Sequence, residues 1–157
     1  MANPCNCCYL GHPTRACTCS EAEILNYRSR LSGALADRIE MHVTLAPVHP
    51  ESLESAGDGE SSSSIRARVE LSRAMQRVRF TGTAVTCDSQ ASGRQLIANG
   101  NIGREARAMI RAAMESLSLS GGGYHHVIRV ARTIADLADC EKVCEPHVAE
   151  ALRFRPR

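Results

Sequence analysis

The sequence has no tryptophan and only two phenylalanines and three tyrosines in 157 residues. A core without large aromatic rings has to be assembled from Ala, Leu, Ile, Val and Met, as in packed helices. Lysine is almost missing as well: Lys142 is the only one among 19 Lys and Arg residues. Arginine favours rigid bidentate contacts to phosphate or carboxylate where it is placed for them, but a GC-rich genome produces the same bias without functional meaning. The formal net charge of +2 points to no particular partner. No apolar run is long enough to span a bilayer, and Met1-Ala2-Asn3-Pro4-Cys5 lacks the basic stretch and apolar segment of a secretory signal. The expectation is a soluble, cytoplasmic chain with no membrane partner. A phosphate-cradling G-x-x-x-x-G-K-[ST] loop is also missing, since GDGESSSS has no lysine and GNIGREAR lacks both the lysine and the spacing.

What the chain does have is cysteine at its start. Cys5, Cys7, Cys8, Cys17 and Cys19 crowd into NPCNCCYLGHPTRACTCS, forming two Cys-x-Cys pairs across residues 8–16. Tetrahedral Zn²⁺ takes four thiolates, and a short loop carrying Gly11 and Pro13 can fold two such pairs together. One residue between paired ligands is tight for zinc, and Cys5 with Cys8 offers a two-residue alternative. Disulfides and free thiols are the competing readings, and the missing secretory signal weighs against disulfides. The expected ligands are Cys5, Cys7, Cys17 and Cys19, with Cys8 as a competitor. Cys87, Cys140 and Cys144 are scattered, and the last two flank a helix junction before Pro146.

Periodicity divides the remainder. Ser20 followed by Glu23 is a capping box that opens a helix over 20–31. A short helical turn over 35–38 leads into Ile39, Met41, Val43 and Leu45, which alternate with Glu40, His42 and Thr44 as a strand does. Residues 47–64, with two prolines, GDGE and SSSS, read as a polar hinge. Ile65, Val69, Met75 and Val78 predict a helix over 62–80, with Arg66, Arg68, Arg73, Arg77 and Arg79 mostly on its other face. Residues 81–93 read as a loop and Asn99-Gly100 as a turn. Helical spacing resumes from Ala106 to Leu117, stops at Ser120-Gly121-Gly122-Gly123, returns in YHHVIRVARTIADLAD, and ends in a short helix opened by Pro146. Three glycines would each cost a helix about 1 kcal/mol, which puts the start of the YHHVIRV helix in question.

The ordered set NPCNCCYLGHPTRACTCS, YRSRLSGALADRIEMHV, GESSSSIRARVELSRAMQRVRF and YHHVIRVARTIADLA resembles the C-terminal part of the magnesium chelatase-like AAA+ ATPases of the ComM/YifB type. The likeness runs over 3–155. It implies an α+β architecture: residues 1–47 form the end of an AAA+ α/β core with the Cys loop, 48–61 a linker, and 62–157 an all-α lid bundle. It implies ATP and Mg²⁺ in the complete parent protein, neighbouring subunits in a homo-hexamer, and DNA as the substrate of branch migration. Asn3 matches the family's sensor 1 position, where an amide orients the attacking water. Arg38 matches the arginine finger, which reaches the ATP of a neighbouring subunit and stabilises the transferred phosphoryl group. Arg129 matches the sensor 2 arginine, which reaches nucleotide phosphates in cis, with Arg132 as the reserve on the same face.

Each of these residues also has an ordinary reading. Asn3-Pro4 can be a turn, Asp37-Arg38 a surface ion pair, and Arg129 an arginine with a packed stem and a solvated head. Relatives carry Cys-Pro-Cys-Gly where this chain has Cys5-Asn6-Cys7-Cys8, so a thiol stands where they have glycine. Without a phosphate loop, the resemblance implies a partial motor subunit that hydrolyses no ATP alone. The alternative is a stand-alone zinc-stabilised module that meets nucleic acid through the arginines of 62–80. Insertion of magnesium into a porphyrin has no support in these residues.

Overall fold

The computed structural model describes residues 3–30, 38–48 and 59–155. By its internal contacts the chain divides into two units, Met1–Ile39 with Val43–Gly57, and Glu40–His42 with Asp58–Arg157.

In the first unit the Cys loop runs directly into α1, Glu21–Ser29. Ser20 Oγ accepts from the Glu23 amide at 3.3 Å, and Glu23 Oε2 accepts from the Ser20 amide at 2.8 Å. This closed capping box satisfies two amides that the helix itself cannot, a contribution of about 1 kcal/mol. Glu21 and Glu23 at one end and Arg28 at the other complement the helix dipole. No residue of α1 is buried, so the cap carries an unusual share of the helix. The predicted end of this helix at Leu31 and the turn over 35–38 fall on 31–37, outside the described residues; Arg38 itself is in a turn.

The second unit is helical: α2 (Ser62–Arg79), a 3-10 turn (Asp88–Gln90), α3 (Gly93–Asn99), α4 (Arg104–Ser116), α5 (Gly121–Leu137) and α6 (Glu145–Arg153). The central element is α5, which packs against α2, the 3-10 turn, α3, α4 and α6. Val127, Ile128, Val130, Ala131 and Ala135 form its buried stripe at helical spacing. Ala131 and Ala135 are fully enclosed, and their small side chains let the neighbouring helices approach closely. Phe80, Leu96, Ile110, Val143 and Val148 fill the space around them. Each large side chain buried this way contributes about 1.5–3 kcal/mol. The glycines before Tyr124 are the first turn of α5 and not a stop, because Ser120 Oγ accepts from the Gly123 amide at 2.9 Å. No described helix is long and apolar enough to cross a membrane.

The α+β expectation is overturned. Among the described residues there is no strand or sheet, only an isolated parallel bridge between Ile102 and Val143. Over 39–45 the apolar alternation is present, but Met41, Val43 and Leu45 are all exposed and no ladder forms. A strand is stabilised by the neighbour it bonds to, and its own alternation supplies no partner. The segment instead donates from the His42 amide to Phe154 O at 2.7 Å. The expected linker at 48–61 falls mostly on 49–58, outside the described residues.

Candidate functional site

Two constellations stand out, one in each unit. In the first, the Cys5 carbonyl accepts from the Cys8 amide at 3.1 Å, closing a turn that brings the Cys5 and Cys7 sulfurs to 3.4 Å. The chain then reverses through Gly11, whose φ of 79° suits a residue without a Cβ. The reversal is fixed by side chains. His12 Nδ1 accepts from the amides of Thr14 and Arg15, both at 3.2 Å, and the Arg15 guanidinium lies 4.1 Å from the Tyr9 ring centre while bonding its hydroxyl. Cys17 returns to within 3.7 Å of Cys5 and 3.5 Å of Cys7.

With Cys19, the four ligand sulfurs all lie within 4.8 Å of one another. Tetrahedral bonds of about 2.3 Å to thiolates require sulfurs about 3.8 Å apart, close to what the loop presents. Amides of Tyr9 and Thr18 hold the Cys7 thiol down at about 5. Cys19 accepts a lowering bond from the Cys7 backbone, yet burial and the neighbouring thiols push it up to about 12. Crowded thiols lose a first proton easily and a last one with difficulty, and a divalent cation removes that conflict. The group could therefore hold a metal ion. Cys8 is exposed and stands outside it, with its backbone at φ 70°.

In the second unit Arg129 projects from α5 beside a cavity of about 410 Å³ between α2, α5, α6 and Glu40–His42. Its Nε donates to Asp88 O at 3.1 Å and its Nη2 to Ala91 O at 3.2 Å, so both ends of the 3-10 turn fix the guanidinium. Its Nη1 pairs with Glu40 Oε1, and His126 Nε2 comes within 3.9 Å of the same oxygen. Arg132 has a different situation. It is fully buried, donating to Gly100 O at 3.0 Å, Glu141 O at 2.7 Å, Cys140 O and Asp136 Oδ1 at 2.9 Å. These bonds tie together the chain's own corners. Asn3 and Arg38, both in the first unit, are exposed.

A model of the C-terminal part of the magnesium chelatase subunit ChlI matches residues 59–155, and a model of the magnesium chelatase subunit ChlI matches 1–53. The chain belongs to the magnesium chelatase family. Among its relatives in this magnesium chelatase family, competence protein ComM of Haemophilus influenzae is 31% identical over 137 residues, covering 87% of this chain and 26% of that protein. An uncharacterized protein of Mycobacterium tuberculosis is 33% identical over 154 residues, 98% of this chain and 30% of its own length. The uncharacterized protein YifB of Escherichia coli is 28% identical over 149 residues, 94% and 28% respectively. The chain thus spans between about a quarter and a third of the length of these relatives.

Sequence reasoning missed the buried polar group beside the cavity in the helical unit of this magnesium chelatase family member. Arg79 binds Asp136 through both of its Nη atoms and Asp88 Oδ1 at 3.0 Å, and Gln76 Nε2 donates to Asp136 Oδ2 at 3.3 Å. One signal was available: Arg132 and Asp136 stand four apart on α5, the spacing at which a helix pairs opposite charges. The helical pattern places Arg79 with the other arginines of α2, mostly away from its apolar face, yet its side chain is only 11% exposed.

Proposed function

We infer that this chain supplies the trans-acting arginine, the lid arginine and a zinc-stapled loop to a magnesium chelatase-like motor that uses ATP to work on DNA. Arg129 carries the reading. Of the two lid candidates it is the one at an accessible cavity with a guanidinium held in a fixed orientation, whereas Arg132 is enclosed. In a neighbouring-subunit arrangement, Arg38 would reach the γ-phosphate of the adjacent ATP, Asn3 would orient the attacking water, and Arg129 would bind phosphate oxygens within its own subunit, with Mg²⁺ accompanying the nucleotide. Such groups act by placing positive charge where negative charge develops, which is worth about 10³–10⁵ in rate for an arginine finger. Cys5, Cys7, Cys17 and Cys19 would hold Zn²⁺, which would act as a cross-link for a loop that has little apolar material of its own. The relationship to the competence protein ComM is the support for DNA as substrate.

The test is a chimaera joining this chain to an upstream phosphate-loop region of the same family. Arg38→Ala should abolish hydrolysis and leave ATP binding intact, and mixing such subunits with phosphate-loop-defective ones should restore part of the turnover. Failure of that rescue would refute the shared site. Elemental analysis of protein purified without chelator should give about one zinc per chain, lost in Cys17→Ser and kept in Cys8→Ser.

A further inference from the structure

We propose that Glu40 is a built-in competitor for the anion that Arg129 receives, so that the chain's own carboxylate closes the lid's phosphate site until a polyphosphate displaces it. The proposal rests on the reading of Arg129 as a phosphate-binding lid arginine and adds its regulation. Glu40 occupies Arg129 as a ligand would. The guanidinium is already oriented by Asp88 O and Ala91 O, and its third nitrogen, Nη1, which neither carbonyl engages, is taken by a carboxylate oxygen. His126, one turn earlier on α5, stands 3.9 Å from that oxygen, so two nitrogen-bearing side chains converge on one anionic atom. The contact is not sealed. Glu40 is 34% exposed and Arg129 16%, which leaves the pair open to exchange with an anion from solvent.

The carboxylate arrives on a tether. Glu40–His42 is the only part of residues 38–48 that belongs to the helical unit, and it is held there by the bond from the His42 amide to Phe154 O and by Met41 lining the cavity beside Val69, Ile134 and Phe154. A tethered competitor acts at an effective concentration of about millimolar, high enough to exclude a single weak anion. A polyphosphate has the advantage in charge and in number of acceptor oxygens, and an arginine fork matches phosphate geometry. Glu40 therefore sets a threshold: monovalent anions are rejected and polyphosphates enter, at a cost in affinity equal to displacing the glutamate.

The experiment titrates inorganic tripolyphosphate into the full chain by calorimetry at fixed pH and salt. Glu40→Gln should bind about fivefold more tightly than wild type, the fold-change that corresponds to an ion pair of about 1 kcal/mol that no longer has to be broken. The gain should vanish in Glu40→Gln/Arg129→Ala. Glu150→Gln, which removes another carboxylate lining the same cavity, should leave affinity unchanged. An unchanged Glu40→Gln, a gain that survives loss of Arg129, an equal gain in Glu150→Gln, or no binding by any variant would each overturn the proposal. Because the readout needs no ATP turnover, it separates from the motor reading: inactive chimaeras with the tripolyphosphate result intact would refute the motor alone.

Discussion

Replacing Asp136 by alanine should cost the helical unit about 3–5 kcal/mol, the range for breaking a buried ion pair by removing one partner. The Asp136 side chain has no solvent exposure and accepts from three residues: Arg132 at 2.9 Å, Arg79 through both Nη atoms, and Gln76 at 3.3 Å. Arg79 would keep Asp88 as a partner, but Arg132 would keep only carbonyls, with its charge buried and uncompensated. Burial already pulls Arg132 below the ordinary arginine value, and Asp136 is the main group opposing that pull. An arginine does not escape by losing its proton, so the cost falls on the fold. In a unit of roughly 100 residues each kcal/mol moves the melting temperature by about 4–8 °C, so the midpoint should drop by on the order of 20 °C. Thermal and urea unfolding followed by circular dichroism measure both quantities. A loss under about 1 kcal/mol would mean that apolar contact alone joins α2 to α5, and the account of the polar group would be wrong.

Two further outcomes follow from single residues. Burial raises Asp88 to about 6, with Asp136 adding to the effect and Arg79 opposing it; the folded state thus favours the protonated acid, and its contribution is full below about pH 4 and lost as pH rises through about 6. Asp88→Asn should flatten the dependence of stability on pH between those values, and an unchanged slope in urea melts would refute this. Cys8 holds a backbone of φ 70° that glycine adopts without a Cβ penalty. Loaded with zinc as proposed, the loop should be stabilised by about 1 kcal/mol in Cys8→Gly, with unchanged metal content, as read from the chelator concentration needed to strip the metal.

The parts legible in the sequence were those governed by local chemistry. Ser20 and Glu23 announced a helix start because a capping box is complete within four residues, and the Cys pairs announced their cluster because ligand spacing is itself local. Where the deciding partner lay far along the chain, the reading failed. Residues 39–45 looked like a strand because alternation was visible and a missing ladder was not. The sequence predicts no helix between the loop ending at Gly93 and the Asn99-Gly100 turn, since the seven residues of α3, Gly93–Asn99, are too few to show a period; the Ser92 and Gln95 capping box is the overlooked clue. Gly121 to Gly123 suggested an interruption on propensity, but Ser120 and the packing of α5 outweigh a penalty of about 1 kcal/mol per glycine. The arginines were the hardest to sort: Arg79, Arg129 and Arg132 look alike in sequence, and only tertiary placement assigns one to solvent's edge and two to the interior.

The two corners of the helical unit meet where the Gly103 amide donates to Val143 O and the Val143 amide to Asn101 O. Arg132 grips both from below, holding Gly100 O on one side and Glu141 O on the other. Opening either corner would take carbonyl acceptors from this buried guanidinium and leave its N–H groups unpaired, which disfavours the opening of each. The consequence is cooperativity: at these corners the α3–α4 and α5–α6 hairpins share two backbone bonds and one guanidinium, so they should let go together. A push on one hairpin should therefore be felt by the other through these shared bonds.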